Sequence, residues 1–265
     1  MDHLISLKLA MADLWWAPPN LRVIDRPEIC YTIDKDNRFN MVMRISDDVS
    51  AVDSLVAEVS EAHVGFESKV VTYPEQSAAL FKSLERHGYA PGHVHDIRHL
   101  SLQNLTRPNH PDIQTRIVTT TEELALLEKT QAKAFGVPYK PSSEDELAFT
   151  VQEYQKEAPR AIRVLAFDKK SGQPVGAGSM SLFPDLGVCF FFAGGTIPEA
   201  RHRGVYSALI TARLRYAKQS GIEVAGIFAR QTSSSPIADR QGFHKCGEMV
   251  YWTRTPEAEH GYSVV

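Results

Sequence analysis

The stretch CFFFAGGTIPEARHRGVYSALITARLRYAKQSG, from Cys189 to Gly221, decides how this chain folds. Its apolar run, Cys189 to Ala193, passes into Gly194, Gly195 and Thr196 and is closed by Pro198, the pattern of a buried strand whose backbone stays open near its end. Arg201, His202, Arg203 and Gly204 then make a basic, glycine-bearing turn. Val205, Leu209, Ala212 and Tyr216 recur at helical spacing, with Arg213, Arg215 and Lys218 toward the end and Gly221 placed to stop the helix. Strand, basic turn and helix in that order make a phosphate cradle. The first N–H groups of a helix lack an internal partner and carry the positive end of its dipole, so an anion there gains hydrogen bonds and favourable charge. Gly204 removes the side chain that would hold a phosphate off the backbone, and Arg201 and Arg203 can add charge-assisted bonds. The chain has no GxxxxGK(S/T) and no GxGxxG, so neither a Walker loop nor a dinucleotide fold accounts for the turn.

Arg201-x-x-Gly204-x-Tyr206 follows Thr196-Ile197-Pro198-Glu199 and precedes Gln241-Gly242-Phe243. This arrangement resembles the pyrophosphate loop, Q/R-x-x-G-x-G/A, of the GCN5-related N-acetyltransferases (GNAT), which bind acetyl-CoA; Tyr206 stands where that family has a small residue. The resemblance covers about residues 113 to 254. It implies cofactor contacts from Thr196, Ile197, Arg201, His202, Arg203, Gly204, Val205, Tyr206 and Gln231. It also implies that a main-chain N–H near the end of the strand reaching Thr196 meets the thioester carbonyl, where two central strands splay apart. Acceptor specificity would be written in Phe135, Tyr139, Phe149 and Tyr154, on a helix pair expected at 121–135 and 143–155. The leaving-group acid usual in the family, a tyrosine four residues before the Gly of the G-F pair, is replaced here by Ala238. Ser235 is the hydroxyl near enough to stand in as the catalytic proton donor, although Ser followed by Pro236 is also a common helix start. The Cys189–Ala193 strand carries no glutamate to serve as a base.

The chain of 265 residues has room for two domains. With 43% hydrophobic and 23% charged residues it has the composition of an ordinary globular protein. A net charge of −3 gives no global field to recruit nucleic acid or an anionic membrane. Residues 1–110 hold 11 Lys+Arg against 15 Asp+Glu, leaving 18 against 17 for the remainder, so basic charge gathers around the loop. Cys30, Cys189 and Cys246 show no paired spacing, which points to a reducing, cytoplasmic compartment. The opening MDHLISLKLAMADLWW makes a poor signal peptide, and no apolar run reaches about 18 residues. Trp15 and Trp16 suit a lid over the core or a gate on a cleft. His93, His95 and His99 share one face of an expected strand and read as a polar face, with no metal site.

A helix at 4–16, strands at 29–34 and 39–45, a helix at 48–62, a strand at 69–72, a helix at 76–87 and a strand at 94–102 form an order that the second half repeats. SLERHGY before a strand parallels IADRQGF before a strand. The expected fold is α/β, a central mixed sheet flanked by helices, in two GNAT-like domains in tandem. Residues 1–105 form a degenerate first domain, 106–112 a linker, and 113–265 the acetyltransferase domain. The first half's corresponding turn, Ile45-Ser46-Asp47-Asp48-Val49, would repel a pyrophosphate. The expected activity is direct transfer of an acetyl group from acetyl-CoA to an amine in a ternary complex, the alternative being an inactive acyl-CoA-binding protein. The expected partner is a small-molecule amine or peptide acceptor, with a homodimer as an option and no nucleic acid or membrane.

Overall fold

The computed structural model describes residues 3–14, 21–34 and 39–256; Trp15, Trp16 and most of the turn expected at 34–37 lie outside them. The elements run α1 (His3–Ala12), β1 (Leu21–Arg26), β2 (Ile29–Asp34), β3 (Met41–Ile45), α2 (Val52–Ala62), β4 (Ser68–Thr72), α3 (Ala78–Arg86), β5 (Ala90–Ser101), β6 (Ile113–Ile117), α4 (Thr121–Phe135), α5 (Glu144–Tyr154), β7 (Ala161–Asp168), β8 (Pro174–Phe183), β9 (Val188–Thr196), α6 (Val205–Gln219), β10 (Val224–Arg230), α7 (Ser235–Arg240) and β11 (His244–Arg254). The fold is α/β with mixed sheets flanked by helices. No described helix is long and apolar enough to cross a membrane.

The chain divides into two compact units, a larger one of Met1–Ala10 with Ile97–Cys246 and a smaller one of Met11–Asp96 with Gly247–Val265. This division differs from a boundary at 105/106 because each unit borrows a strand from the other half of the sequence. In the larger unit the end of β5 is hydrogen-bonded beside β10. In the smaller, Val250–Arg254 of β11 pair antiparallel with Ser68–Thr72 of β4. Residues 106–112 are likewise bonded into the larger unit. Lys218 Nζ of α6 donates to the Leu105 carbonyl at 3.1 Å, Arg107 Nη1 donates to Gln241 Oε1 at 3.0 Å, and Arg215 donates to the Arg107 carbonyl.

Within the larger unit the strand order is β5-β10-β9-β8-β7-β6, antiparallel from β6 through β9 and parallel between β9 and β10. Alternation along β9 assigns helices to faces. A Cβ added at Gly194 would meet Tyr206 and Arg213 of α6, whereas one at Gly195 would meet Ala134 and Phe135 of α4. Gly226 of β10 leaves room for Leu7 of α1. The α6 face buries Val205, Leu209, Ile210 and Leu214 against Met180, Phe191 and Ile227. Each such side chain contributes about 1.5–3 kcal/mol by leaving water. Under α4 and α5 a second cluster gathers Leu124, Leu127, Leu147 and Val151 on Leu165 and Phe167. Helix starts follow the capping residues. Thr120 accepts from the Glu123 N–H, and Ser143 forms a capping box with Glu146.

The smaller unit has strand order β1-β2-β3-β4-β11. Its core joins Ile29, Val42, Val56, Val59, Leu80 and Leu84 with Trp252. β1, LRVIDR, escaped the sequence reading because its partly exposed, charged face lacks an apolar alternation. Antiparallel pairing of Leu21–Arg26 with Ile29–Asp34 supplies its backbone bonds instead.

Candidate active site

The open backbone anticipated near the end of β9 is present. β9 and β10 pair from Val188–Val224 to Phe191–Ile227, after which β9 continues to Thr196 and β10 to Arg230. Beyond Phe191 the two strands part, so the β10-facing edge of Phe192–Thr196 is offered to something else. On the other edge the register with β8 shifts, Ala177 facing Gly195 and Ser179 facing Phe192. That leaves Ala193 and Gly194 opposite Gly178 alone, a β-bulge with Ala193 at φ +47°. Gln131 Nε2 of α4 donates to the Ala193 carbonyl at 2.9 Å and holds the bulge in place. Left-handed backbone at a non-glycine residue is costly and is held here by its surroundings.

After a 3₁₀ turn, Pro198–Ala200, the loop runs through His202 at φ +62° to Gly204 at φ +73°. Gly204 is the N-cap of α6, and no side chain caps that helix. Glycine is required here twice over: the backbone is left-handed, and an added Cβ would collide with the imidazole of His110. The His110 Nδ1 accepts from the Asp112 N–H at 3.2 Å, so its Nε2 carries the proton and presents a donor beside the helix terminus. Arg203 pairs with Asp168 at the end of β7. Bonds first from the Ser171 N–H and then from Arg203 hold the Asp168 carboxyl down at about 2. Arg201 Nη2 donates to the Ala134 carbonyl at 3.3 Å. The two arginines thus flank the turn from opposite sides, each already oriented by the protein.

Below the bulge lies a residue whose role the sequence reading misjudged. Arg213, taken as one of the charges near the helix end, is 1% exposed. Its Nε donates to the Leu209 carbonyl at 3.1 Å, its Nη1 to the Ser179 carbonyl at 3.0 Å, and its carbon sits 4.5 Å from the Phe191 ring centroid. The Nη2 is buried without a hydrogen-bond partner. Burial lowers the Arg213 pKa and raises that of the neighbouring Cys189 thiol. Gly178 and Gly194 make the space it occupies. Tyr206 shares this face of α6, its ring edge 3.1 Å from the position of a Cβ on Gly194. Spacing could have shown this, since Tyr206, Leu209 and Arg213 stand at i, i+3 and i+7 on the apolar stripe.

Thr196 ends β9 and Ile197 follows it; the Thr196 Oγ1 is buried and unpartnered, and the Ile197 N–H donates to the Val175 carbonyl at 3.1 Å. Val205 is 1% exposed and packs in the core, while His202 is exposed. Gln231 follows the end of β10, on the parted side of the pair. Ser235 is the first residue of α7, its cap being Ser234, and its Oγ accepts from Arg98 Nε at 2.7 Å. The same guanidinium donates to Asp239 and the Phe243 carbonyl. This three-way clamp anchors α7 and seats Phe243, 0% exposed, against Phe191. Of the acceptor residues, Phe135 lies at Gly195 and Tyr154 reaches the sheet through Arg163, whereas Tyr139 and Phe149 are both 37% exposed. Among the described residues no group of three His, Cys, Asp or Glu could hold a metal ion.

These observations fit the phosphate and thioester ends of an acyl-CoA: an uncapped helix terminus beside left-handed glycine, and orphaned polar atoms at a parted strand pair. The fold is that of an α/β protein with a mixed sheet flanked by helices. Residues 124–247 match the model of the Acetyltransferase (GNAT) family. No curated protein matches the chain. Among solved structures it is similar to a GCN5-related N-acetyltransferase from Kribbella flavida, with 18% identity over 94% of this chain and 95% of that one and a TM-score of 0.66. A GCN5-related N-acetyltransferase from Sphaerobacter thermophilus gives 18% identity, 88% and 82% coverage and a TM-score of 0.64. A tandem GNAT protein from the clavulanic acid biosynthesis pathway gives 15% identity, 94% and 87% coverage and a TM-score of 0.64. At these identities the likeness is one of fold.

Proposed function

We propose that the protein is an acyl-CoA-dependent N-acyltransferase that moves an acetyl group from acetyl-CoA directly to an amine, within a ternary complex. The observation that carries this reading is the parting of β9 from β10 after Phe191–Ile227, beside a helix terminus that no side chain caps. Acetyl-CoA bound there would supply an activated acyl group. The N–H groups opening α6 take the pyrophosphate, with Gly204 giving close access and Arg201, His202, Arg203 and His110 surrounding it. Thr196, Ile197, Val205 and Gln231 border the path of the cofactor arm along the parted strands. An N–H at the Ala193–Gly194 bulge polarises the carbonyl. As the C–N bond forms and the C–S bond breaks, the amine gives up a proton and the departing sulfur receives one. Tyr206 is the better placed hydroxyl for that second proton, because its ring lies at Gly194 and beside buried Arg213, whereas Ser235 is already engaged by Arg98. The acceptor is a small amine or peptide. The smaller unit carries no cofactor site in this proposal.

Thermal unfolding with and without acetyl-CoA, followed by thiol release against a panel of amines, tests the reading. A ligand bound only to the folded state stabilises it by about 2.7 kcal/mol at a hundredfold excess over Kd. A raised Tm with thiol release is the expected result. A raised Tm without release on any amine would make this a binding protein, and no shift at saturating ligand would overturn the cofactor site altogether.

A further inference from the structure

Arg163 lies in the middle of β7, in the run Ala-Ile-Arg-Val-Leu, where every neighbour is apolar. Its guanidinium carbon sits 4.8 Å from the ring centroid of Phe192 and 5.6 Å from that of Tyr154. Two aromatic faces therefore hold the cation in place. No hydrogen bond or ion pair to it exists among the described residues, and its Nη1 is fully buried without a partner. The nearby Glu128, whose charge is felt at Tyr154, accepts instead from Ser142 Oγ at 2.9 Å. A half-buried guanidinium with its donors unanswered is costly unless an acceptor arrives from outside.

Position says what that acceptor does. Arg163 is in register with Ser179, and Ser179 with Phe192, so the three side chains share one face of the sheet. It is the α4 face, opposite α6. Phe192 is the last residue before the bulge at Ala193 and Gly194. The Ser179 Oγ is also buried and unpartnered. Around them, Phe190, Phe192 and Phe228 form a partly exposed aromatic floor, with ring centroids 5.9 Å and 5.5 Å from Phe190. We infer that Arg163, with Ser179, binds a carboxylate of the acceptor, so that the substrate class is an amine bearing a carboxylate and an apolar body, as in an apolar amino acid. One planar guanidinium matches one carboxylate through two parallel bonds. The aromatic floor takes the apolar side chain and leaves the amine at the bulge.

This inference rests on the N-acyltransferase reading, and product binding tests it without turnover. N-acetyl derivatives of phenylalanine, leucine and valine, each as free acid and as amide, are titrated calorimetrically into the full chain with and without CoA. For at least one pair the acid binds 30-fold or more tighter than the amide. Arg163→Met erases that preference while CoA affinity stays within twofold, and Arg163→Lys keeps part of it. Should Arg163→Met fail to fold, Arg163→Lys decides, since a point charge cannot reproduce the bidentate pair and must cost about tenfold. Equal binding of acid and amide, a preference undiminished in Arg163→Met or Arg163→Lys, or no binding by any pair overturns the carboxylate site. Loss of CoA binding with the acid preference intact would instead sink the cofactor reading and leave Arg163 standing.

Discussion

Two strand–turn–helix corners of this chain share a plan and differ in chemistry. In the smaller unit β3 runs parallel to β4, pairs with it at Met41–Lys69 and Val42–Val70, and then continues to Ile45. In the larger unit β9 does the same beside β10 before reaching Thr196. The helices that follow both lack a side-chain cap but differ in the charge set beside their first turn. The first N–H groups of α2, from Ala51 and Val52, both donate to the Asp48 carbonyl, at 3.0 and 2.9 Å. Asp48 folds its carboxylate onto Ser50, whose backbone N–H lowers its pKa most, followed by the hydroxyl. Asp53 in the first turn accepts from Ser83 and Arg86. At α6 the equivalent places hold Gly204, two arginines and Tyr206. One corner sets acids beside its helix start and the other arginines, so shared topology does not imply a shared site.

The largest effect expected from breaking this contrast is at Gly204. Gly204→Asp puts a side chain into left-handed backbone against His110 and adds a negative charge. CoA affinity should fall at least a hundredfold in calorimetry with the circular dichroism spectrum retained; unchanged affinity would show that the cradle lies elsewhere. Next comes Tyr206→Phe, which removes the hydroxyl beside the bulge. A fall in kcat of about tenfold or more with CoA affinity held within threefold is expected, within the range of lost acid catalysis. If Ser235→Ala had the larger effect on kcat, the proton donor would be the α7 hydroxyl.

A smaller effect concerns the anchor of Arg203. The Asp168 carboxyl is held at about 2 in the folded protein, below its ordinary 3.8. A depressed carboxyl stabilises fully above its unfolded pKa and loses that contribution as pH falls through the folded one. Asp168→Asn should therefore lower the urea midpoint above about pH 4 and converge with wild type near pH 2. Parallel curves across that window would show that the carboxylate is not so held. The smallest effect on the cofactor is expected in the other corner. Asp47 Oδ2 accepts from the Ser77 N–H at 2.9 Å, so Asp47→Ala should cost about 1 kcal/mol of stability and leave CoA affinity within twofold. A large loss of CoA binding there would move the site to the smaller unit.

Local pattern made much of this readable. The apolar run into Gly194 and Gly195, the Ser143-x-x-Glu146 start of α5 and the left-handed glycines at 136, 204, 221 and 242 are each a short-range signal with a short-range consequence. Arg163 was not readable in this way, and Arg213 only through its place on the apolar stripe of α6. One sits in a strand and the other in a helix, where a basic residue normally faces water. Their positions depend on Phe192, Tyr154, Gly178 and Gly194, which come near them only when separate elements are stacked. The same holds for His110, drawn from an expected linker to the mouth of α6.

By itself, then, the sequence determined most of the segments that become strands and helices, β1 excepted, and the differing charge beside the two strand-to-helix turns. Those properties follow from periodicity, caps and charge within a few residues. Tertiary structure alone decided that β5 lies beside β10 and β11 beside β4, each far from it in sequence, and that two arginines end in aromatic surroundings instead of solvent. Strand pairing satisfies backbone groups with any strand of suitable register, and a guanidinium's surroundings are set by residues far away in the chain.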